Sequence, residues 1–268
     1  METFDYIIVG AGSAGCVLAN RLSEDSGTSV LVLEAGGRDW NPFIHIPAGF
    51  IKTFYDPSVN WLYSMEPSTW TGGRKILAPR GKTLGGSSSI NGNVYNRGQP
   101  MDFDTWSQMG NRGWGYADLL PYFRRLERRI GDGEDTFRGR EGALTVTDNE
   151  WRHPLCEAFI EGAVQHGIPR NNDYNGRIQE GVNYTQRTIY KGRRMSAARA
   201  FLHPAMKRPN LKVTTHAHAT SIVFDGNKAV GIKYSRGGAH GTVHEVRARR
   251  EVILSGGTFN SPQLLQLS

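Results

Sequence analysis

Tyr6-Ile7-Ile8-Val9-Gly10-Ala11-Gly12-Ser13-Ala14-Gly15, with Glu34 at the end of Val30-Leu31-Val32-Leu33, decides the fold. A short apolar strand runs into three spaced glycines, a helix, a second apolar strand and an acid. This is the order in which a β-α-β unit binds a dinucleotide. Gly10 makes the tight turn, Gly12 lets the backbone approach a pyrophosphate, and Gly15 lets helix and strand pack closely. The phosphates then sit at a helix N-terminus, where unpaired N–H groups and the helix dipole both favour negative charge. Glu34 is placed to accept the hydroxyl hydrogens of a ribose, and its charge would repel a 2′-phosphate. A glycine turn alone is weak, but here the strand, the helix and an acid about 20 residues further on accompany it.

Working outward, 268 residues of which 38% are hydrophobic suffice for one large domain or two smaller ones around a sizeable core. No apolar stretch approaches the roughly 18 residues of a membrane span. The chain opens directly on its first strand, with no basic region, apolar core and cleavage site before it. Cys16 and Cys156 are the only cysteines, which excludes a disulfide framework and suits a reducing compartment. A cytoplasmic protein is expected, in which the sequon Asn183-Tyr184-Thr185 has no meaning. The net charge of +7 is densest at Arg124-Arg125-Leu126-Glu127-Arg128-Arg129. That run reads as the solvated face and end of a helix. No aromatic-and-basic stripe accompanies it, so nucleic acid is not an expected partner.

Residues 1–36 form the β-α-β unit, and residues 37–78, rich in Pro, Gly and aromatics, read as a functional excursion. Small residues dominate Arg80-Gly81-Lys82-Thr83-Leu84-Gly85-Gly86-Ser87-Ser88-Ser89-Ile90-Asn91-Gly92-Asn93-Val94-Tyr95. Leu84, Ile90 and Val94 give it buried anchors that a flexible linker lacks, so it reads as a cofactor-contacting loop leading into a helix. Residues 101–129 read as helical with turns at Gly110 and Gly113, 144–146 as a strand, 154–167 as an amphipathic helix and 194–206 as helical. Residues 211–215, 219–224, 229–234 and 242–248 read as strands, with a hairpin turn at Asp225-Gly226-Asn227. Residues 251–257 form a further buried strand entering a small-residue turn, after which Ser261 and Pro262 open a helix as N-cap and first-turn proline.

Together these segments resemble the glucose-methanol-choline (GMC) flavoprotein oxidoreductases over essentially the whole chain. The likeness rests on Gly10 to Gly15 with Glu34, on Gly81 to Tyr95 as the family's first signature, and on Asn96-Arg97-Gly98. It continues through Asp102-Phe103-Asp104-Thr105-Trp106, the run from Gly113 to Phe123, Met195 to Leu202, and Gly257-Thr258-Phe259-Asn260-Ser261-Pro262-Gln263-Leu264-Leu265 as the start of the second signature. The resemblance implies an α/β fold, a Rossmann-like FAD-binding domain with an added β-meander, plus the beginning of an α+β substrate-binding domain. Residues 1–150 and 191–268 are assigned to the first, incomplete at its C-terminus, and 151–190 to the second. The cofactor implied is FAD rather than NAD. Its expected contacts are Gly10, Gly12, Ser13, Ala14, Gly15, Glu34, Ala35, Gly85, Gly86, Asn91, Gly92, Asn93, Val94 and Ala219, the last beside adenine. Ile90 stands where some members carry the histidine that tethers the flavin, so binding is expected to be noncovalent.

The implied reaction is oxidation of an alcohol to an aldehyde or ketone, with hydride passing to flavin N5 and electrons going to O2, a quinone or another acceptor. The family's catalytic histidine and its His or Asn neighbour match nothing in this chain. The resemblance puts both beyond Ser268, because Leu267 and Ser268 still fall inside the second signature. No catalytic base and no metal site are therefore assigned. His45, His153, His166, His203, His216, His218, His240 and His244 are scattered, and His216 and His218 are read as sharing the exposed face of a strand. Pro47, Phe50 and Trp61 are weaker candidates for the substrate side. The rival readings are a hydroxynitrile lyase or decarboxylase on the same scaffold, an inactive fragment, and one piece of a nicked enzyme with a companion C-terminal polypeptide.

Overall fold

β-Branched and leucine residues build the centre of a six-stranded sheet. In the computed structural model, which describes residues 1–239 and 241–268, β1 (Glu2–Val9) runs parallel to β2 (Val30–Leu33), with α1 (Ser13–Leu22) between them in sequence. β3 (Leu211–Thr214) lies parallel on the far side of β2. β4 (Ala217–Asp225), β5 (Lys228–Arg236) and β6 (Thr242–Leu254) form an antiparallel meander, and β6 returns parallel to β1. The strand order is β4-β5-β6-β1-β2-β3, and α2 (Gly257–Gln266) follows β6. The fold is thus the mixed α/β sheet of a Rossmann-like domain. The chain divides into two compact units, residues 1–92 with 196–268, and residues 93–195.

Side chains alternate across the sheet. Ile7, Val9, Leu31 and Leu33 point to one face, where they pack with the meander and with Leu264 of α2. Ile8 points to the other face, toward α1, since a Cβ on Gly15 would stand 3.4 Å from Ile8 Cγ2. β2 is buried along its whole length, which is why it reads as a continuous apolar run. Each such side chain contributes about 1.5–3 kcal/mol by burial.

Several elements differ from the sequence reading, each for a local reason. Residues 242–254 form one strand, not two. The charges that interrupt its apolar pattern are satisfied at the strand, Arg249 on the Asp5 carboxylate at 3.0 Å and Arg250 over the Tyr6 ring. Residues 85–94 do not lead into a helix. Gly85 and Gly86 take the left-handed φ values of 88° and 53°, which an α-helix cannot continue, and only a single 3-10 turn forms, Gly86–Ser89. α2 starts at Gly257, so Ser261 is not its cap and Pro262 lies inside it. In place of one helix over 194–206 there is a short strand, Arg193–Arg194, then a π-helical turn, Ala198–Leu202, and His203–Ala205.

The second unit is held by buried charge. Its helices Pro100–Gln108 and Tyr116–Leu126 are separated by a turn-rich break, and Glu127–Arg129 is a strand paired parallel to Leu144–Val146. Arg124 and Arg125 are the exposed last turn of the helix, as the composition suggested, but Glu127 and Arg129 are buried in the strand that follows. The Glu127 carboxylate accepts from Arg97 Nη2 at 2.6 Å, from Arg138 through two nitrogens and from the Gly139 N–H. Arg138 also reaches Asp173 and Gln186, and Gln186 is joined to Asn175. Segments 93–150 and 151–190, which the sequence reading separated, therefore pack as one unit. Replacing Glu127 by Ala leaves Arg97 buried without its carboxylate and Arg138 with Asp173 as its one remaining acidic partner. Urea denaturation is expected to show a loss of about 3–5 kcal/mol.

Candidate functional site

A cleft of about 980 Å³ opens in the first unit along the C-terminal ends of β1 and β2. Gly10 sits at φ 98° in the turn after β1, and a Cβ there would lie 2.6 Å from Ser255 O. A Cβ on Gly15 would fall 1.9 Å from Gly10 O, so α1 can approach the turn only without a side chain. No side chain caps α1, whose leading amides are left for a ligand beside the cleft-lining Gly12, Ser13 and Ala14.

Glu34 lines the same cleft from the end of β2. Its Oε2 accepts from Ala11 N–H and its Oε1 from Gly36 N–H, both at 2.8 Å. One lone pair on each oxygen is left for other donors. Burial raises its pKa from the ordinary 4.5 to about 7, against the opposing effect of the two N–H bonds and of the Lys82 charge.

The serine-rich segment closes on this turn instead of facing solvent. Gly85 N–H donates to Ala11 O at 2.7 Å, and a Cβ on Gly86 would stand 2.8 Å from Gly12 Cα. Ser88 Oγ donates to Gly85 O and accepts from Ala197 N–H, while Ser89 Oγ donates to Leu84 O. The hydroxyls thus replace secondary structure in fixing the loop. Leu84 and Ile90 are buried anchors, as expected, whereas Val94 is exposed.

An aromatic wall borders the cleft. Trp61 stacks on Tyr63 with ring centres 5.7 Å apart, and His218 meets Trp61 edge-on at the same distance. Phe259 meets Tyr63 edge-on, the Arg80 guanidinium lies 4.6 Å above Phe259, and Tyr63 OH donates to Asn260 Oδ1. The Lys82 ammonium stands 4.8 Å from the Trp61 ring centre.

Of the residues expected at the cofactor, Gly10, Gly12, Ser13, Ala14, Glu34, Ala35, Gly86 and Ala219 line the cleft together. Gly15 and Gly85 support it from behind. Asn91 and Gly92 do not line it, and Asn93 and Val94 belong to the second unit. Trp61 is in the wall, whereas Pro47 and Phe50 are not. Tyr63, Arg80, His218 and Phe259 were missed. The signal for Tyr63 lay in the aromatic-rich excursion, and that for Phe259 in the motif after β6. His216 and His218 do not share a strand face, because His216 lies outside β4 with φ 54°. His240 lies outside the described residues.

Ser268, the residue beyond which the catalytic pair was expected, is not in the cleft wall, although Leu267 is. Its hydroxyl accepts from Ile222 N–H at 2.8 Å and donates to Leu264 O at 2.6 Å, so it ties the end of α2 to β4. That role is structural, and the sequence reading gave Ser268 none. Among the described residues no group of three or more His, Cys, Asp or Glu could hold a metal ion, and no helix is long and apolar enough to cross a membrane.

The sequence model of the GMC oxidoreductase family matches residues 4–268. An oxygen-dependent choline dehydrogenase of Sinorhizobium fredii is 50% identical over 264 residues, 98% of this chain and 47% of the relative. One from Staphylococcus aureus is 46% identical over 271 residues, 100% and 47% of the two chains. Among solved structures, pyridoxine 4-oxidase from Mesorbium loti superposes with a TM-score of 0.91 at 36% identity, covering 98% of this chain and 51% of that one. A structure of Aspergillus oryzae formate oxidase, from work on its FAD modification, superposes with a TM-score of 0.87 at 28% identity, covering 100% and 48%. This chain belongs to the GMC oxidoreductase family, and it spans about half the length of the curated relatives it matches.

The raised Glu34 pKa has a sign that can be measured. The folded chain holds that proton more tightly than the unfolded one, so this contribution to stability is complete below about pH 4.5 and is lost as pH rises through about 7. In urea denaturation of the ligand-free chain, Glu34→Gln is expected to remove a fall of up to about 3 kcal/mol between those limits.

Proposed function

We propose that this chain, as a GMC oxidoreductase, is the FAD-binding half of an enzyme that oxidises an alcohol to an aldehyde or ketone. The observation that carries this reading is the shared cleft. Residues from the glycine turn, the end of β2, the serine-rich loop and β4 come together around one space of about 980 Å³. The fit to a dinucleotide is chemical as well as spatial. A glycine cradle faces an uncapped helix start, and a buried carboxylate with a spare lone pair on each oxygen stands beside it.

In this reading Gly10, Gly12, Ser13 and Ala14 hold the pyrophosphate, Glu34 and Ala35 the ribose, and Ala219 the adenine edge. Gly86 serves the flavin side, while Gly15 and Gly85 keep the turn closed. When bound, FAD would supply the two-electron oxidising power. The chain's own residues bind it, orient it and exclude water from its phosphates. His218 is not the base that takes the hydroxyl proton, because it packs on Trp61 next to Ala219, at the adenine end. That base is assigned to residues outside these 268, on the same chain or a companion polypeptide. Noncovalent attachment is supported by Ile90, a buried aliphatic side chain. A cytoplasmic location is supported by the two free cysteines.

O2 as acceptor and choline as alcohol are the leading choices, because the relatives at 46% and 50% identity carry the name oxygen-dependent choline dehydrogenase. Pyridoxine is the next alcohol to try, by likeness to the pyridoxine oxidase. The full-length protein is expected to be yellow, to release its colour into the supernatant on acid precipitation, and to be bleached anaerobically by an alcohol of this panel. Colour retained on the protein would refute noncovalent binding, and a flavin that no alcohol bleaches would refute the oxidation. Gly86→Ala drives a methyl group into Gly12, an overpacking of about 1–3 kcal/mol. FAD affinity, measured by fluorescence titration, is expected to fall roughly tenfold.

A further inference from the structure

Arg80 lines the cleft but has no role in the reading above. Among the described residues that line it, Arg80 is the only arginine or lysine and Glu34 the only acid. Lys82, over the Trp61 ring, is not in the wall.

The Arg80 guanidinium is a cation without a counter-ion. The residue is half-buried. Its Nη1 donates to Pro79 O at 2.7 Å, and the group lies 4.6 Å above the Phe259 ring. Among the described residues its other N–H groups find no acceptor, and no carboxylate comes within ion-pair distance. The buried Arg97, Arg129 and Arg138, in contrast, each meet a carboxylate. A guanidinium partly withdrawn from water, with donors to spare, is poorly satisfied until an acceptor arrives.

The backbone fixes where that acceptor would lie. Arg80 N–H donates to Asn60 Oδ1 at 3.1 Å, and Trp61 N–H donates to Arg80 O at 2.9 Å, which joins Arg80 to the aromatic wall. On its other side Gly81 N–H donates to Ser87 Oγ at 3.1 Å, and a Cβ on Gly81 would stand 2.2 Å from Gly86 C. Gly86 in turn lies against Gly12 of the turn after β1. Arg80 thus adjoins the loop that closes on the glycine cradle, while Phe259 holds its guanidinium at the cleft wall.

Charge makes the need specific. A pyrophosphate brings negative charge on both of its phosphates into a cleft whose own acid is Glu34. The N-terminus of α1 offers about half an elementary positive charge, which leaves most of that charge unmatched. An arginine fork suits phosphate oxygens, and its charge-assisted hydrogen bonds are stronger than neutral ones.

We infer that Arg80 is the counter-ion of the dinucleotide's pyrophosphate, a cofactor-binding residue whose spare N–H donors take phosphate oxygens. The inference rests on the dinucleotide reading of the cleft.

Fluorescence titration of the 268-residue chain with FAD, using ADP and adenosine as competitors, separates the phosphates from the nucleoside. Arg80→Met is expected to weaken FAD and ADP about ten- to hundredfold, and adenosine by less than about twofold. Arg80→Lys, which keeps the charge without the fork, should fall between Arg80→Met and the wild type. Added salt should weaken ADP more in the wild type than in Arg80→Met. Circular dichroism melts confirm that each variant is folded. Equal losses for ADP and adenosine would mean that Arg80 acts through the aromatic wall, and would overturn the inference. A second measurement needs no variant: phenylglyoxal, which modifies arginines, is followed at Arg80 by peptide mass spectrometry. ADP is expected to protect Arg80, and adenosine to leave it reactive. Modification at the same rate with and without saturating ADP would overturn the inference while leaving the dinucleotide reading intact. A chain that binds neither FAD nor ADP would overturn both.

Discussion

The carboxylate of Glu34, clasped by the N–H groups of Ala11 and Gly36, is the constraint on which the first unit depends. It ties the turn after β1 to the turn after β2, and it can do so only because the two strands run in register, with Val9 opposite Leu33 and Gly10 N–H on Leu33 O at 2.7 Å. A slip of one residue in β2 would turn the carboxylate to the other face of the sheet. The apolar core and the polar site are thus specified by one register. The burial of Leu31 and Leu33 that favours this pairing also fixes the acid at the mouth of the cleft.

Ala11 shows how little freedom remains there. Its N–H is given to Glu34 and its carbonyl accepts from Gly85, so the glycine turn is held from β2 on one side and from the serine-rich loop on the other. Neither hold uses an apolar contact. The loop in turn, a segment almost without secondary structure, is fixed by hydroxyls that bond to backbone. A side chain is excluded at position 86, where a Cβ would stand 2.8 Å from Gly12 Cα, whereas one on Gly12 would meet only Ser255 O at 3.8 Å.

The parts of this architecture that were legible in the sequence are those where one local signal and one long-range pairing agree. Glycine spacing, two buried strands and an acid place the turn, α1 and Glu34, and the hairpin at Gly226 and Asn227 follows from its turn residues. Legibility fails where a charged residue is satisfied by a partner far along the chain. Arg249 breaks the apolar pattern of β6, and only Asp5, 244 residues away, explains why the strand continues through it. It fails too where left-handed glycines end a helix before it begins, as at Gly85 and Gly86, because small residues in a row signal closeness without saying to what. The aromatic wall belongs to the same class. Trp61 and Tyr63 were visible as part of an unusual stretch, but their stacking and the contacts of Tyr63 with Phe259 and Asn260 depend on tertiary placement.

The two units meet the cost of buried polarity in opposite ways, and this explains why one was read well and the other poorly. In the first, the buried acid at the cleft, Glu34, is compensated by backbone donors, so the sequence pattern around it stays apolar and periodic, while the buried Asp5 and Asp39 are paired with Arg249 and His203. In the second, Glu127 is compensated by Arg97 and Arg138, whose partners are Asp173 and Gln186, and the network recruits five separate stretches of chain. Charged residues usually lie at surfaces, so a run such as Arg124 to Arg129 is read as exposed unless its counter-charges are known. A buried ion network is weak as a source of stability compared with apolar packing but is strongly destabilised by loss of one member. Its selectivity follows from that asymmetry. Any alternative packing that leaves one of these guanidinium groups unmatched is disfavoured, so the network selects one arrangement of the five stretches of chain it joins.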